Sequence, residues 1–217
     1  MLTGVALDNA IRQLISRPFR HTFFRAMPLR YAGDPLGKRR PIVAQRFNLA
    51  GGARVLYLAE DQVTSLHEIQ AFGWPPTATA IVPVQFDLKA VVDLRDPNVQ
   101  AILQTNSAEI ALNFRSITTG PAATQVLGER CCASRQIDAL IFESPAMPRK
   151  ANLAVFETAL TLLRSSLVVN DADNNLFDSL PSRLSEQSLS KRKPPISNED
   201  RSWSTCDLPK KRILLFS

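Results

Sequence analysis

From Asn170 onward the chain nearly stops supplying apolar side chains. Asp, Asn, Ser, Pro, Lys and Arg dominate until Ile213-Leu214-Leu215-Phe216 at the very end. A stretch of that composition cannot bury enough surface to offset the entropy lost on ordering it. Residues 170–217 are therefore expected to be a polar, largely disordered tail, and the fold must be built from what precedes them. The 217-residue chain is still 45% hydrophobic, enough for the core of one domain. No run of about 18 apolar residues exists, and Asp8, Arg12, Arg17 and Arg20 stand where a signal peptide needs an unbroken apolar stretch. Cys131, Cys132 and Cys206 have neither the number nor the spacing of a disulfide framework or a zinc site. The expectation is a soluble, cytoplasmic protein without a metal.

Charge is unevenly spread behind the overall +6. Residues 1–54 hold ten Lys and Arg against two acids, residues 55–169 eight against eleven, and the remainder eight against seven. The basic excess lies in the first quarter, where Lys38-Arg39-Arg40, Arg46 and Arg54 suit phosphates of a nucleic acid or of a small anionic ligand.

Periodicity gives the elements. Ile11, Leu14 and Ile15 predict a helix from Asp8 to Ser16, within an N-terminal segment 1–22. Pro28, Gly33, Pro35, Gly37 and Pro41 mark Phe23 to Gly52 as mostly turn and loop. Arg54 to Ala59 reads as a strand with Val55, Tyr57 and Ala59 on one face. Asp61 caps a helix reaching Phe72, with Val63, Leu66 and Ile69 as its apolar stripe and Glu68 off that stripe, facing a cleft or solvent. Thr79–Leu88 and Ala90–Leu94 read as two strands, the first placed at an edge or bulge by Pro83. Asp96-Pro97 starts a helix, Pro121 opens another through Arg135, Ala139–Phe142 is a buried strand, and Asn152–Leu163 divides between strands. Residues 23–169 form the main domain.

Dinucleotide and Walker fingerprints are absent, and the fourth residue after His67 is Ala71, which removes a zinc-protease reading of His67-Glu68. What remains is an ordered set: Phe24-Arg25, Arg46-Phe47-Asn48, Val55-Leu56-Tyr57-Leu58-Ala59, the helix reaching Glu68, Glu143-Ser144 and Asn152-Leu153-Ala154-Val155-Phe156. With this order and spacing the sequence resembles the RES-domain family, which includes toxins of toxin–antitoxin pairs. The resemblance covers about residues 23–160. It implies an α/β (α+β) fold, a compact ADP-ribosyltransferase-like mixed sheet flanked by helices. It also implies cleavage of the nicotinamide–ribose bond of NAD by water, phosphate or a protein acceptor of ADP-ribose, and a helix-turn-helix antitoxin as partner. By position, Arg46, Tyr57, Glu68 and Ser144 match the family's catalytic residues, and Arg25 and Asn48 are assigned to the substrate. Two departures stand out: Ala44-Gln45 replaces a usual pair of glycines, and His67 replaces a common apolar residue.

Those residue types suit the chemistry. Nicotinamide leaves a cationic ring as a neutral molecule, so the enzyme has to stabilise an oxocarbenium-like ribose and admit a nucleophile; one carboxylate, Glu68, can do either. Arg46 and Arg25 would hold the pyrophosphate. Tyr57 would stack on nicotinamide or offer its hydroxyl, and Ser144 would orient a ribose or phosphate oxygen, with no histidine to make it a nucleophile. Taken singly, Glu68 is an ordinary solvated helix residue, Tyr57 a core aromatic, Ser144 a strand-end cap and the arginines surface charge; the ordered combination reverses this for Arg46, Tyr57 and Glu68. The rival readings are a basic nucleic-acid-binding module, which lacks any recognised DNA-binding pattern, and a catalytically inactive RES-like interaction protein.

Overall fold

Two long strands set the frame. In the computed structural model of the chain, β1 (Arg17–Pro28) and β3 (Thr79–Asp93) pair antiparallel from Arg17 opposite Val91 to Pro28 opposite Thr79. The structure describes residues 1–32, 34–35, 43–71, 73, 78–161, 165–169 and 212–214. β1 replaces two expectations, the loop from Phe23 onward and the N-terminal segment that held residues 17–22; its exposed first half carries Arg17, Arg20 and His21 in place of an apolar alternation. The two strands expected over 79–94 are one. At the presumed break, the buried Asp138 carboxylate accepts from the amides of Lys89 (2.9 Å) and Ala90 (3.0 Å) and from Ser165 Oγ (2.6 Å), so a side chain replaces a ladder partner. Pro83 lies opposite Phe24, where the other edge of β3 is not yet paired among the described residues.

β2 (Val55–Ala59) pairs antiparallel with β5 (Ala151–Phe156), β5 with β4 (Ala139–Glu143), and β4 runs parallel to β3. Because Phe24 of β1 also meets Ala59 of β2, the succession β1-β2-β5-β4-β3 returns to β1 and closes a ring. β6 (Ser166–Val169) adds to β3 over Val84–Asp87, and β7 (Arg212–Leu214) adds to β6. The chain end therefore returns to the sheet at part of its apolar tip, within the segment expected to be a disordered tail; residues 170–211 and 215–217 lie outside the described residues, as do Lys38-Arg39-Arg40 and Cys206.

Alternation along the strands feeds two cores. Phe23, Met27, Leu56, Leu58, Val82, Val84, Ile141 and Leu153 fill the space the ring encloses. Leu140, Phe142, Ala154 and Phe156 point outward and are covered by α1 (Gly4–Gln13), α3 (Pro97–Leu103) and α5 (Ala123–Ser134) through Leu7, Ile11, Val99, Leu103, Leu127 and Cys131. With both faces covered, β4 and β5 read in sequence as near-continuous apolar runs. α1 starts four residues before the expected Asp8, because Leu7 joins Ala10 and Ile11 on its buried stripe. Asp96 caps α3 by accepting from the Asn98 amide. A short α4 spans Ser107–Ala111, and α6 (Glu157–Thr161) replaces the strand expected there, Glu157 and Thr158 interrupting the apolar run. No helix among the described residues is long and apolar enough to cross a membrane.

Candidate active site

α2 (Gln62–Ala71) carries Glu68. Asp61 caps it, its Oδ1 accepting from the Thr64 amide at 2.7 Å, as the sequence predicts. That bond, the first cause, together with Lys150, pulls the Asp61 carboxyl down to about 2. The expected apolar stripe is not the buried face. Val63 is 59% exposed, while Thr64 and Ser65 are buried. Glu68 lies one turn on from Thr64 and Ser65, so the inward face of this helix is small and polar and turns a carboxylate toward the sheet. His67 points to solvent.

The carboxylate meets the hairpin between β4 and β5. Ser144 Oγ donates to Glu68 Oε1, Asn152 Nδ2 donates to the same oxygen at 2.7 Å, and the Ala146 amide approaches it at 3.5 Å. Ser144 Oγ in turn accepts from the Met147 amide at 3.0 Å. All these donors converge on Oε1, and no described residue bonds to Oε2. The hairpin is fixed by the Ser144 amide on the Lys150 carbonyl (2.7 Å) and by the Arg149 amide on Glu143 Oε1 (2.7 Å). Lys150 ties it to the start of α2 through ion pairs with Glu60 and Asp61, both 2.9 Å.

Arg46 is presented by a tight turn. Gln45 and Asn48 exchange backbone hydrogen bonds (3.0 and 3.4 Å), which leaves Arg46 and Phe47 at the corner. Phe47 is fully buried and packs edge-to-face on Phe142 at 4.9 Å, a burial that stabilises by about 1.5–3 kcal/mol. With Phe47 inward, Arg46 projects the other way. Neither Ala44 nor Gln45 has a positive φ, so the turn needs no glycine at either position.

α5 pins this loop from behind. Gln125 Nε2 donates to the Gln45 carbonyl at 3.0 Å, and Glu129 accepts from the amides of Leu49 (2.9 Å) and Ala53 (3.0 Å). A Cβ on Gly128 would stand 2.0 Å from the Phe47 carbonyl oxygen, so only glycine permits this approach. Sequence reasoning missed Gln125, Gly128 and Glu129, because they match nothing until the loop is packed on the helix.

Tyr57, on the outward face of β2, reaches the same turn. Its hydroxyl accepts from the Phe47 amide at 2.8 Å and donates to Asn48 Oδ1 at 3.0 Å. Burial pushes its phenol well above the ordinary range, so it stays protonated. Asn48, also buried, donates from Nδ2 to the Leu49 carbonyl at 3.1 Å. Arg46 donates through Nη1 to the carbonyls of Ile110 and of Leu112 (3.0 Å), and its guanidinium lies 5.9 Å from the centre of the Phe114 ring. Burial lowers the Arg46 pKa, opposed by the charge of Glu68 and by Tyr57.

Five of the six expected residues therefore gather around this part of the sheet. Arg25, half-buried on β1 opposite Val82, makes no hydrogen bond with the described residues; burial pushes its pKa down to about 10, opposed by Asp34. Asn152 is an addition, signalled in the sequence only as the first residue of a matching segment. Elsewhere, a cavity of about 760 Å³ lies among Arg17, Phe19, Asp93, Arg95, Ile141, Glu143 and neighbours, and shares with the Glu68 group only the hairpin after β4. Among the described residues no group of three or more His, Cys, Asp or Glu is placed to hold a metal ion.

Comparison with known proteins agrees with this architecture. No curated protein matches the chain. A chain in the crystal structure of the M. tuberculosis MbcT–MbcA toxin–antitoxin complex superposes with a TM-score of 0.53 at 16% identity, over 71% of this chain and 84% of that one, a likeness of fold. The family model of the RES domain matches residues 14–174, well over half the sequence and all of the strands that build the site. The chain belongs to the RES-domain family.

Proposed function

We propose that this protein is a toxin of a toxin–antitoxin pair, that it acts in the cytoplasm, and that it consumes NAD by breaking the nicotinamide–ribose bond. The observation that carries the reading is the Glu68 carboxylate, held on Oε1 by Ser144, Asn152 and the Ala146 amide, with Oε2 bonded to none of the described residues.

In the proposed step the C–N bond between ribose and nicotinamide breaks, and its electron pair neutralises the pyridinium ring. The ribose carbon gains positive charge and forms a bond to an incoming oxygen. Glu68 Oε2 stabilises that charge, or receives the proton of the nucleophile. Because the leaving group is already neutral, no general acid is needed. Arg46, whose side-chain bonds to the described residues use Nη1, has its other donors for the pyrophosphate of the dinucleotide. Arg25 supplies a second cation from β1. The Tyr57 proton is committed to Asn48, so the ring face of Tyr57, and not its hydroxyl, is the part that meets nicotinamide, while Asn48 holds the turn beneath the substrate. The Ser144 proton is likewise committed to Glu68, which makes Ser144 the group that aims the carboxylate.

Water would give ADP-ribose, phosphate its 1-phosphate, and a protein side chain an ADP-ribosylated acceptor. The solved structural neighbour comes from a toxin–antitoxin complex, which supports an antitoxin partner for this protein; we assign that partner to the helix-turn-helix type. Chromatography of NAD after incubation with the purified protein, with and without phosphate, tests the reading, and radiolabelled NAD detects transfer to protein. The expected result is free nicotinamide in stoichiometric amount with one of the three products. NAD that stays intact under all three conditions would overturn it.

A further inference from the structure

Asn152 sits at a place where an amide is costly. It is 4% exposed on β5, paired opposite Ala59 of β2 and Phe142 of β4, and every residue of that strand is buried. Its Oδ1 is buried without a hydrogen-bond partner among the described residues. Leaving an acceptor unpaired in the interior costs about 1–3 kcal/mol, and a residue chosen only to fill this strand would be apolar like Leu153, Ala154, Val155 and Phe156. Among the described residues, its side chain bonds through Nδ2 to Glu68 Oε1 at 2.7 Å. The amide cannot rotate without bringing Oδ1 against a carboxylate oxygen.

We propose that Asn152 is a positioning residue for the reaction: it fixes Glu68 by Oε1 so that Oε2 is the oxygen presented to substrate. The inference rests on the NAD-cleaving reading above. Ser144 and Asn152 divide the task, since they reach the same oxygen from the two ends of one hairpin, Ser144 just after β4 and Asn152 in β5. Two fixed donors on one oxygen define the plane of the carboxylate, where a single donor would leave it free to turn. Misplacing a reacting group by about 1 Å can cost on the order of 10²-fold in rate.

The test is a pair of substitutions with opposite steric and polar character. Asn152→Ala removes the donor and leaves a small cavity; Asn152→Asp keeps the shape and sets a second carboxylate against Glu68. If Asn152 only fills space, Asp is the milder change. If it positions Glu68, Asp is the more damaging one. The expected order of kcat for nicotinamide release is wild type, then Ala lower by roughly 10- to 100-fold, then Asp lower still, with the affinity for NAD, measured by titration, changed in Ala by less than about threefold. Equal kcat in wild type and Ala, or an Asp variant more active than Ala, would overturn the proposal.

A second measurement depends neither on a folded variant at this position nor on turnover. In the wild-type protein, one of the two side-chain amide protons of Asn152 should resonate as a strongly hydrogen-bonded proton and move when Glu68 is changed to Ala. Two ordinary amide resonances that ignore that change would refute the contact. Wild-type protein that leaves NAD intact would instead overturn the reaction, with the resonance still deciding the role of Asn152.

Discussion

On the arginine side of the site the polar atoms of Tyr57 and Asn48, and one nitrogen of Arg46, are spent on structure. The Tyr57 hydroxyl both donates and accepts, Asn48 is buried and bonded, and Arg46 gives Nη1 to two carbonyls. On the glutamate side the bonds converge on a single oxygen, and its twin has no bond to the described residues. The first half is a brace that presents a cation from a loop. The second is a carboxylate held from one side, the group proposed to react. Substitutions in the first should therefore cost stability along with activity, whereas substitutions at the free end of the second should cost activity alone.

Arg46→Ala gives the largest effect on the arginine side. Rate of NAD consumption should fall by roughly 10²- to 10³-fold; a variant with wild-type turnover would remove Arg46 from the substrate. Gly128→Ala comes next. The added methyl group is forced against the Phe47 carbonyl, so denaturant unfolding should show a loss of about 1–3 kcal/mol, and turnover should drop because the Arg46 turn has been displaced. Tyr57→Phe leaves the Phe47 amide and Asn48 Oδ1 without their partner, at a cost of about 1–3 kcal/mol. Unchanged stability in Tyr57→Phe would break the contrast between the two sides.

The smallest effect is a pH dependence at the start of α2. The Asp61 carboxyl is lowered in the folded protein to about 2 by its bond from the Thr64 amide and by Lys150. A depressed carboxyl contributes stability that is fully present above its unfolded value near about 4 and is lost as pH falls through about 2. Thermal unfolding of the wild type should thus lose stability over that window, and Asp61→Asn, which keeps a capping oxygen, should flatten that part of the profile. An identical acid profile in the variant would show that the cap does not titrate as described.

How much of this was legible in the sequence follows from which forces are local. The cap at Asp61, the cap at Asp96 and the buried strand expected over 139–142 are written in contiguous residues, and the structure has all three, the strand one residue longer. β1 was missed because it is stabilised by pairing with a strand some sixty residues away and its exposed half carries no alternation. The stripe assigned to α2 failed for a related reason. The helix lies across β1 and β2 at the mouth of the site, so it buries Thr64 and Ser65, and Val63 is left outside. Glu68, Arg46, Tyr57, Asn48, Ser144 and Arg25 were assigned by ordered resemblance, and the structure gathers all but Arg25. Their bonding was not legible: that Tyr57 serves the Arg46 turn and Ser144 serves Glu68 depends on contacts across the fold, as does the support from Gln125, Gly128 and Glu129.

The central claim is that the free oxygen of Glu68 does the chemistry. Glu68→Gln tests it directly, because the amide oxygen can still accept from Ser144 and Asn152 while Oε2 becomes an NH2 group. Nicotinamide release should be measured for wild type and variant side by side, with thermal unfolding as control. The account predicts release by the wild type, a fall of roughly 10²- to 10³-fold in the variant, and nearly unchanged stability. A Glu68→Gln protein that releases nicotinamide at the wild-type rate would contradict it.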